Sequence, residues 1–130
     1  TGLYAGILGI IFFYITIAVI KSRRREQISI GFGQNDEIAS VVRSHSNFIE
    51  YVPLFLILIY FLEISNKFPS MIRHFVCIAF ICGRLLHFKA FKGERMLFKY
   101  RKVGMHLTLW PIISLALLNI IVFFWLKLAV

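Results

Sequence analysis

Long, nearly uncharged apolar runs alternate with short charged stretches along this chain. The first run, about residues 3–20, carries no charge. The second, about 37–64, begins polar and is interrupted by Glu50 and Glu63. The third, about 71–91, keeps Arg73, His74, Arg84 and His87 towards its ends. The fourth, about 101–128, contains little that ionises past its start except His106 and Lys127. A helix that crosses a bilayer needs roughly 20 mostly apolar residues, and each run meets that length. In lipid every backbone N–H and C=O must be satisfied within its own segment, so continuous runs of this kind predict helices. Barrel strands would alternate apolar and polar positions instead. Gly31, Gly33, Asn35 and Asp36 mark a loop, with Asn35 or Asp36 as the cap of the second helix. Residues 65–70 read as a short turn, with Pro69 next to the start of the third helix. The pattern therefore predicts an all-α protein: an integral membrane four-helix bundle, with residues 1–130 as one domain.

Composition agrees and narrows the class. Hydrophobic residues make up 59% of the chain and charged residues 16%, against about 45–50% and 25% in soluble domains. A disordered chain is excluded, because such chains lack apolar residues. Two cysteines, Cys77 and Cys82, do not make a disulfide scaffold, and there is no CxxC or other metal-ligand set. The formal charge is +9, from 15 basic and 6 acidic residues. The basic residues sit between the apolar runs, so the expected contact is membrane lipid and not nucleic acid. Lys21, Arg23, Arg24 and Arg25 follow the first run, and Lys89, Lys92, Arg95, Lys99, Arg101 and Lys102 surround the third connection. The middle connection has only Lys67. The positive-inside rule then puts the first and third connections in the cytoplasm and both termini on the other side. The first run has no basic stretch before it and no small-residue cleavage site after it, and is read as a retained helix.

Polar side chains inside spanning helices are costly, so they point to function. Arg43, Asn47 and Glu50 are spaced i, i+4, i+7 and share one helical face. A cation, an amide and a carboxylate on one face suit a zwitterionic ligand; the alternative is an Arg–Glu pair that neutralises itself between helices. Arg84, His87 and Phe91 form a second one-face set at i, i+3, i+7, with a snorkelling arginine at a helix end as the alternative. Arg101 opens the fourth helix, where it could also serve as a positive-inside anchor. The second helix starts, the third ends and the fourth starts on the same side. The three sets thus share one depth, which favours a cationic pocket at the cytoplasmic boundary. Other features have structural readings: Gly6 and Gly9 for close helix approach, Tyr4, Tyr14, Trp110 and Trp125 as packing or interface aromatics, and Asn119 for a bond across helices.

These residues resemble a known family. Arg43-x-His45-x-Asn47-x-x-Glu50-Tyr51-x-Pro53 is similar to the second-helix motif of the MAPEG family, the membrane-associated proteins in eicosanoid and glutathione metabolism. Residues 28–33 are similar to the loop of its bacterial branch, Gly83-Arg84-x-x-His87 to the third-helix motif, and Tyr100-Arg101-x-x-Gly104 to the fourth. The resemblance implies a homotrimer with a glutathione site between neighbours near the cytoplasmic face. It assigns Arg43, Asn47, Glu50, Tyr51, Arg84 and His87 to glutathione, Arg101 to the thiol as the catalytic residue, and one of Arg23, Arg24 and Arg25 to a carboxylate. Phe91 stands where several members carry tyrosine, so that hydroxyl is absent. The length of 92–99 differs from relatives, which leaves the register of Arg101 open and gives Tyr100 or Arg95 as stand-ins.

The implied activity is a glutathione transferase or peroxidase acting on a lipophilic electrophile or lipid hydroperoxide. The rival from a different class is a non-catalytic protein that binds an anionic lipid or small acid in the basic pocket. A third reading is haem held by His87 with His45 or His106. A transporter is disfavoured, because the chain shows no repeat and no pair of broken helices.

Overall fold

The computed structural model describes residues 1–31, 33–91 and 97–128. Four helices follow one another: α1 (Gly2–Arg25), α2 (Asp36–Ser65), α3 (Ser70–Phe91) and α4 (Phe98–Leu128). Phe32, Lys92 and Arg95, which figured in the loop and charge readings, lie outside the described residues. All four helices are long and apolar enough to cross a membrane, and no strand occurs among the described residues. The four-helix membrane architecture read from the sequence is the one observed.

The helix ends are set by local chemistry. α1 does not stop with its apolar run but continues through the basic cluster to Arg25. Arg23, Arg24 and Arg25 occupy its last turn, where cations face the negative end of the helix dipole. The helix then closes in a Schellman arrangement: Gln27 donates to the Arg24 carbonyl and Ile28 to the Arg23 carbonyl. Gln27 takes the left-handed conformation at φ 54° that glycine usually supplies, so the sequence carries no stop signal there. α2 opens on Asn35, whose Oδ1 accepts from the Glu37 and Ile38 N–H groups at 3.0 and 3.1 Å. Its other end closes on Asn66, also left-handed, at φ 53°. α4 begins at Phe98, ahead of the expected start at 101.

At 30 and 31 residues, α2 and α4 are about 45 Å long, against a hydrocarbon core of about 30 Å. Both therefore project beyond the apolar slab. Each begins with its polar residues and has its proline, Pro53 or Pro111, in the apolar part.

Packing is strongest where α3 meets α4. A Cβ on Gly104 would lie 2.8 Å from the Gly83 carbonyl oxygen and 2.8 Å from the His87 nitrogen. A Cβ on Gly83 would lie 2.9 Å from the Leu107 Cβ. The two helix backbones thus touch through a reciprocal pair of glycines. Away from this crossing, Phe55 of α2 stacks on Phe80 of α3 at 3.7 Å between centroids, with the rings 4° from parallel. Leu8, Ile15, Ile59, Leu62, Cys77 and Leu115 complete the buried core around them. Asn119 donates from α4 to the Leu58 carbonyl of α2 at 3.0 Å, the cross-helix bond expected of it. Tyr4 is buried and its hydroxyl meets His74 Nδ1 at 2.7 Å. By contrast, a Cβ at Gly6 or Gly9 on α1 would stand in open space, with nothing within 4 Å, so no helix of the same chain closes on them. Cys77 and Cys82 are both free thiols, the first buried and the second exposed.

Candidate functional site

Arg84 is the centre of the polar end of the bundle. It follows Gly83 directly at the α3–α4 crossing, and only 2% of its surface is exposed. Its Nη1 donates to Asn47 Oδ1 on α2 at 2.8 Å. Its Nη2 donates to the Thr108 hydroxyl on α4. Thr108, fully buried, donates its own hydroxyl proton to the Gly104 carbonyl at 2.8 Å. One guanidinium thus ties three helices together. The Tyr51 ring lies 5.5 Å from the Arg84 guanidinium carbon and the Phe80 ring 5.8 Å, both in cation–π range. Arg84 has no carboxylate partner among the described residues, and its Nε is enclosed without a hydrogen bond.

A second group adjoins it. His87, 3% exposed, packs on Phe91 with ring centroids 5.0 Å apart. The Arg101 guanidinium carbon lies 5.5 Å from the same Phe91 ring. Phe91 is thus in contact range of both His87 and Arg101. This geometry brings Arg101 to the His87 end of α3. Tyr100, named as a stand-in, is engaged by Lys89 at 4.9 Å from its ring centroid, and Arg95 lies outside the described residues.

The face predicted for Arg43, Asn47 and Glu50 divides in two. Arg43 and Glu50 are exposed on α2, with no ion pair between them. Asn47 lies at the inner edge, 9% exposed and turned to Arg84. A helix period of 3.6 residues predicts a common face but not which edge the neighbouring helix covers. The self-neutralising Arg43–Glu50 pair is not formed. Two buried polar residues escaped the sequence reading: Thr108, and Ser44 at 2% exposure. The signal for Thr108 was a small hydroxyl four residues after Gly104, where threonine can bond back along its own helix.

Among the three basic residues closing α1, two are committed. Arg23 donates to the Ser29 and Gly31 carbonyls at 3.3 and 3.0 Å. Arg25 bridges Glu26 at 2.8 Å and Glu37 at 2.6 Å. Arg24 has no such partner among the described residues. It lines, with Ile20, Arg23, Gln27, Ile28 and Ser29, an open concavity of about 370 Å³. The three histidines considered for haem sit in separate settings. His45 meets the Thr16 hydroxyl at 3.1 Å between α1 and α2, His87 is enclosed beside Phe91, and His106 lines an outer α3–α4 groove with Trp110 and Ser114.

Comparison with known proteins bears on this arrangement as a whole. A family model described as the MAPEG family matches residues 1–121. The inner membrane protein YecN of Escherichia coli strain K12 is 28% identical over 120 residues, covering 92% of this chain and 89% of that protein. YecN of Escherichia coli O6:H1 strain CFT073 matches to the same extent.

Proposed function

This chain belongs to the MAPEG family, and from that premise we propose that it is a glutathione-dependent membrane transferase or peroxidase. The observation that carries the reading is the gathering of Asn47, Tyr51, Arg84, His87 and Arg101 from three helices at one end of the bundle. Exposed Arg43 and Glu50 supply, on the same stretch of α2, a cation for a carboxylate and a carboxylate for an ammonium. Glutathione carries both kinds of group.

The thiol of free glutathione is mostly protonated at neutral pH, like a cysteine with pKa near 8.5. The thiolate is the nucleophile. A guanidinium beside the sulfur favours the charged form, and each unit of depression corresponds to about 1.4 kcal/mol. Arg101 is the residue proposed for that role. In conjugation, the thiol proton goes to solvent, the sulfur forms a bond to carbon, and the leaving group departs with its electron pair. In peroxide reduction, two glutathiones supply two electrons and two protons. A lipid hydroperoxide becomes an alcohol and water, and the thiols become one disulfide. The second substrate reaches the site from the bilayer, which selects lipophilic molecules.

A multi-pass inner-membrane setting accords with the four spans and the YecN match. The basic connections support a cytoplasmic side for the site. Glu50, exposed on α2 and farther into the helix than Arg43, calls for a polar cover where it enters the apolar slab, and a homotrimer that sets another subunit there would provide one. The contrary observation is Phe91, which brings no hydroxyl to the site. It favours the second reading, a non-catalytic protein holding an anionic lipid or small acid.

The test is thermal unfolding in detergent with and without millimolar glutathione. A ligand specific to the folded state stabilises by about 2.7 kcal/mol at one hundred times its dissociation constant. The expected result is a clear rise that Glu50→Ala abolishes, with Arg101→Ala binding glutathione but showing no thiolate absorbance in the ultraviolet. No rise in the wild-type protein, together with retained anionic lipid, would move the second reading to first place.

A further inference from the structure

Asparagine is ambiguous at a binding site, because its amide offers an acceptor on one side and two donors on the other. Here the neighbouring groups remove the ambiguity. Arginine has five N–H donors and no acceptor, so the atom of Asn47 that meets Arg84 at 2.8 Å must be its oxygen. The opposite anchor of Arg84 is equally constrained. The Thr108 hydroxyl has a single proton, committed to the Gly104 carbonyl at 2.8 Å. Its oxygen is left to accept from Arg84. The direction of every hydrogen bond from α4 through α3 to α2 is therefore fixed by donor and acceptor inventory alone. The NH2 group of Asn47 is turned away from Arg84 and has no hydrogen bond among the described residues, in a residue 9% exposed.

We infer that Arg84 is a positioning residue that does not touch the ligand: it holds the Asn47 amide with its NH2 group outward, so that the ligand atom docked on Asn47 is an acceptor, a carboxylate or carbonyl oxygen, and never an ammonium. The inference deepens the glutathione reading and rests on it for the identity of the ligand. It also reassigns Arg84, which the sequence placed among the residues that touch glutathione. At 2% exposure, with both terminal nitrogens engaged to Asn47 and Thr108, Arg84 has no outward face to offer. Its influence passes through Asn47 and through its charge, which no carboxylate among the described residues balances. A site backed by a buried, unbalanced cation and fronted by amide donors selects for negative charge.

The decisive variant is Asn47→Asp, because it moves stability and affinity in opposite directions. An aspartate at this position gives Arg84 the carboxylate partner it lacks, so the melting temperature in detergent rises. The same change replaces the outward NH2 donors by an acceptor oxygen, so glutathione binds at least tenfold more weakly. A contact with a merely structural role would raise the melting temperature and leave affinity alone. Thr108→Val is the second variant. It keeps both Arg84 and Asn47 and removes only the far anchor of the guanidinium, and it is expected to weaken glutathione binding several-fold while kcat stays within about twofold. Unchanged glutathione affinity in Asn47→Asp overturns the inference, and so does a melting temperature no higher than that of the wild-type protein. If the wild-type protein does not respond to glutathione, the glutathione reading has failed, and phosphatidylglycerol in mixed micelles becomes the probe. Loss of lipid retention in Asn47→Asp then supports the inference, and equal retention overturns it.

Discussion

Replacing Gly104 by alanine adds one methyl group at the tightest point of the bundle. The added Cβ would meet the Gly83 carbonyl oxygen and the His87 nitrogen at 2.8 Å, and the His87 Cα at 3.0 Å. All three are backbone atoms of α3, so no side-chain rotation relieves the clash, and the helices must separate. Forcing a methylene into a packed interior costs about 1–3 kcal/mol. Separation has a second consequence. Thr108 is one turn along α4 and accepts from buried Arg84, and a hydrogen bond to a charged group contributes about 1.5–3 kcal/mol. For a chain of this size, each kcal/mol moves the melting temperature by about 4 °C. The clash alone thus predicts a fall of about 4–12 °C. The assay is thermal unfolding in detergent, read by maleimide labelling of buried Cys77 after exposed Cys82 is replaced by serine. Gly6→Ala is the control, since nothing lies within 4 Å of its Cβ. A Gly104→Ala protein that melts within about 2 °C of wild type would refute the close crossing and the coupling of Thr108 to it.

Other outcomes follow from the same geometry. Phe55→Ala, which empties one side of the Phe55–Phe80 stack from a fully buried position, is expected to cost about 3–5 kcal/mol, measured as the same melting shift. Asn35→Ala removes the acceptor for two α2 N–H groups and should cost about 1 kcal/mol, with Asn35→Asp restoring it. Sidedness is checked by single cysteines in a background where Cys77 and Cys82 are replaced by serine. A cysteine at Gln27 should react with a membrane-impermeant maleimide only in inverted vesicles, and one at Lys67 only in right-side-out vesicles; the reverse pattern would put the site on the opposite face.

How much of this was legible in the sequence differs from residue to residue. The motif on α2 placed Arg43, Asn47 and Glu50 on one side of a helix, and they do lie within one arc. That Asn47 turns inward while Arg43 and Glu50 stay exposed could not be read, since the choice is made by Arg84 of α3 reaching across. Phe91 was read as a missing hydroxyl; in the structure its ring is approached by both His87 and Arg101. Gln27 ends α1 in a conformation that its side chain does not announce.

The number, order and type of the elements were determined by the sequence alone. A membrane span depends on the length and apolarity of one continuous segment, and its helical state on backbone groups that find partners within that segment. Those are local quantities. The site depends on how two helices rotate and how closely they approach, which no single segment contains. Only when Gly83 and Gly104 let α3 and α4 touch does Thr108 come within reach of Arg84, and only then is the Asn47 amide held in one orientation. The tertiary structure made that decision because buried donors and acceptors must be matched across helices.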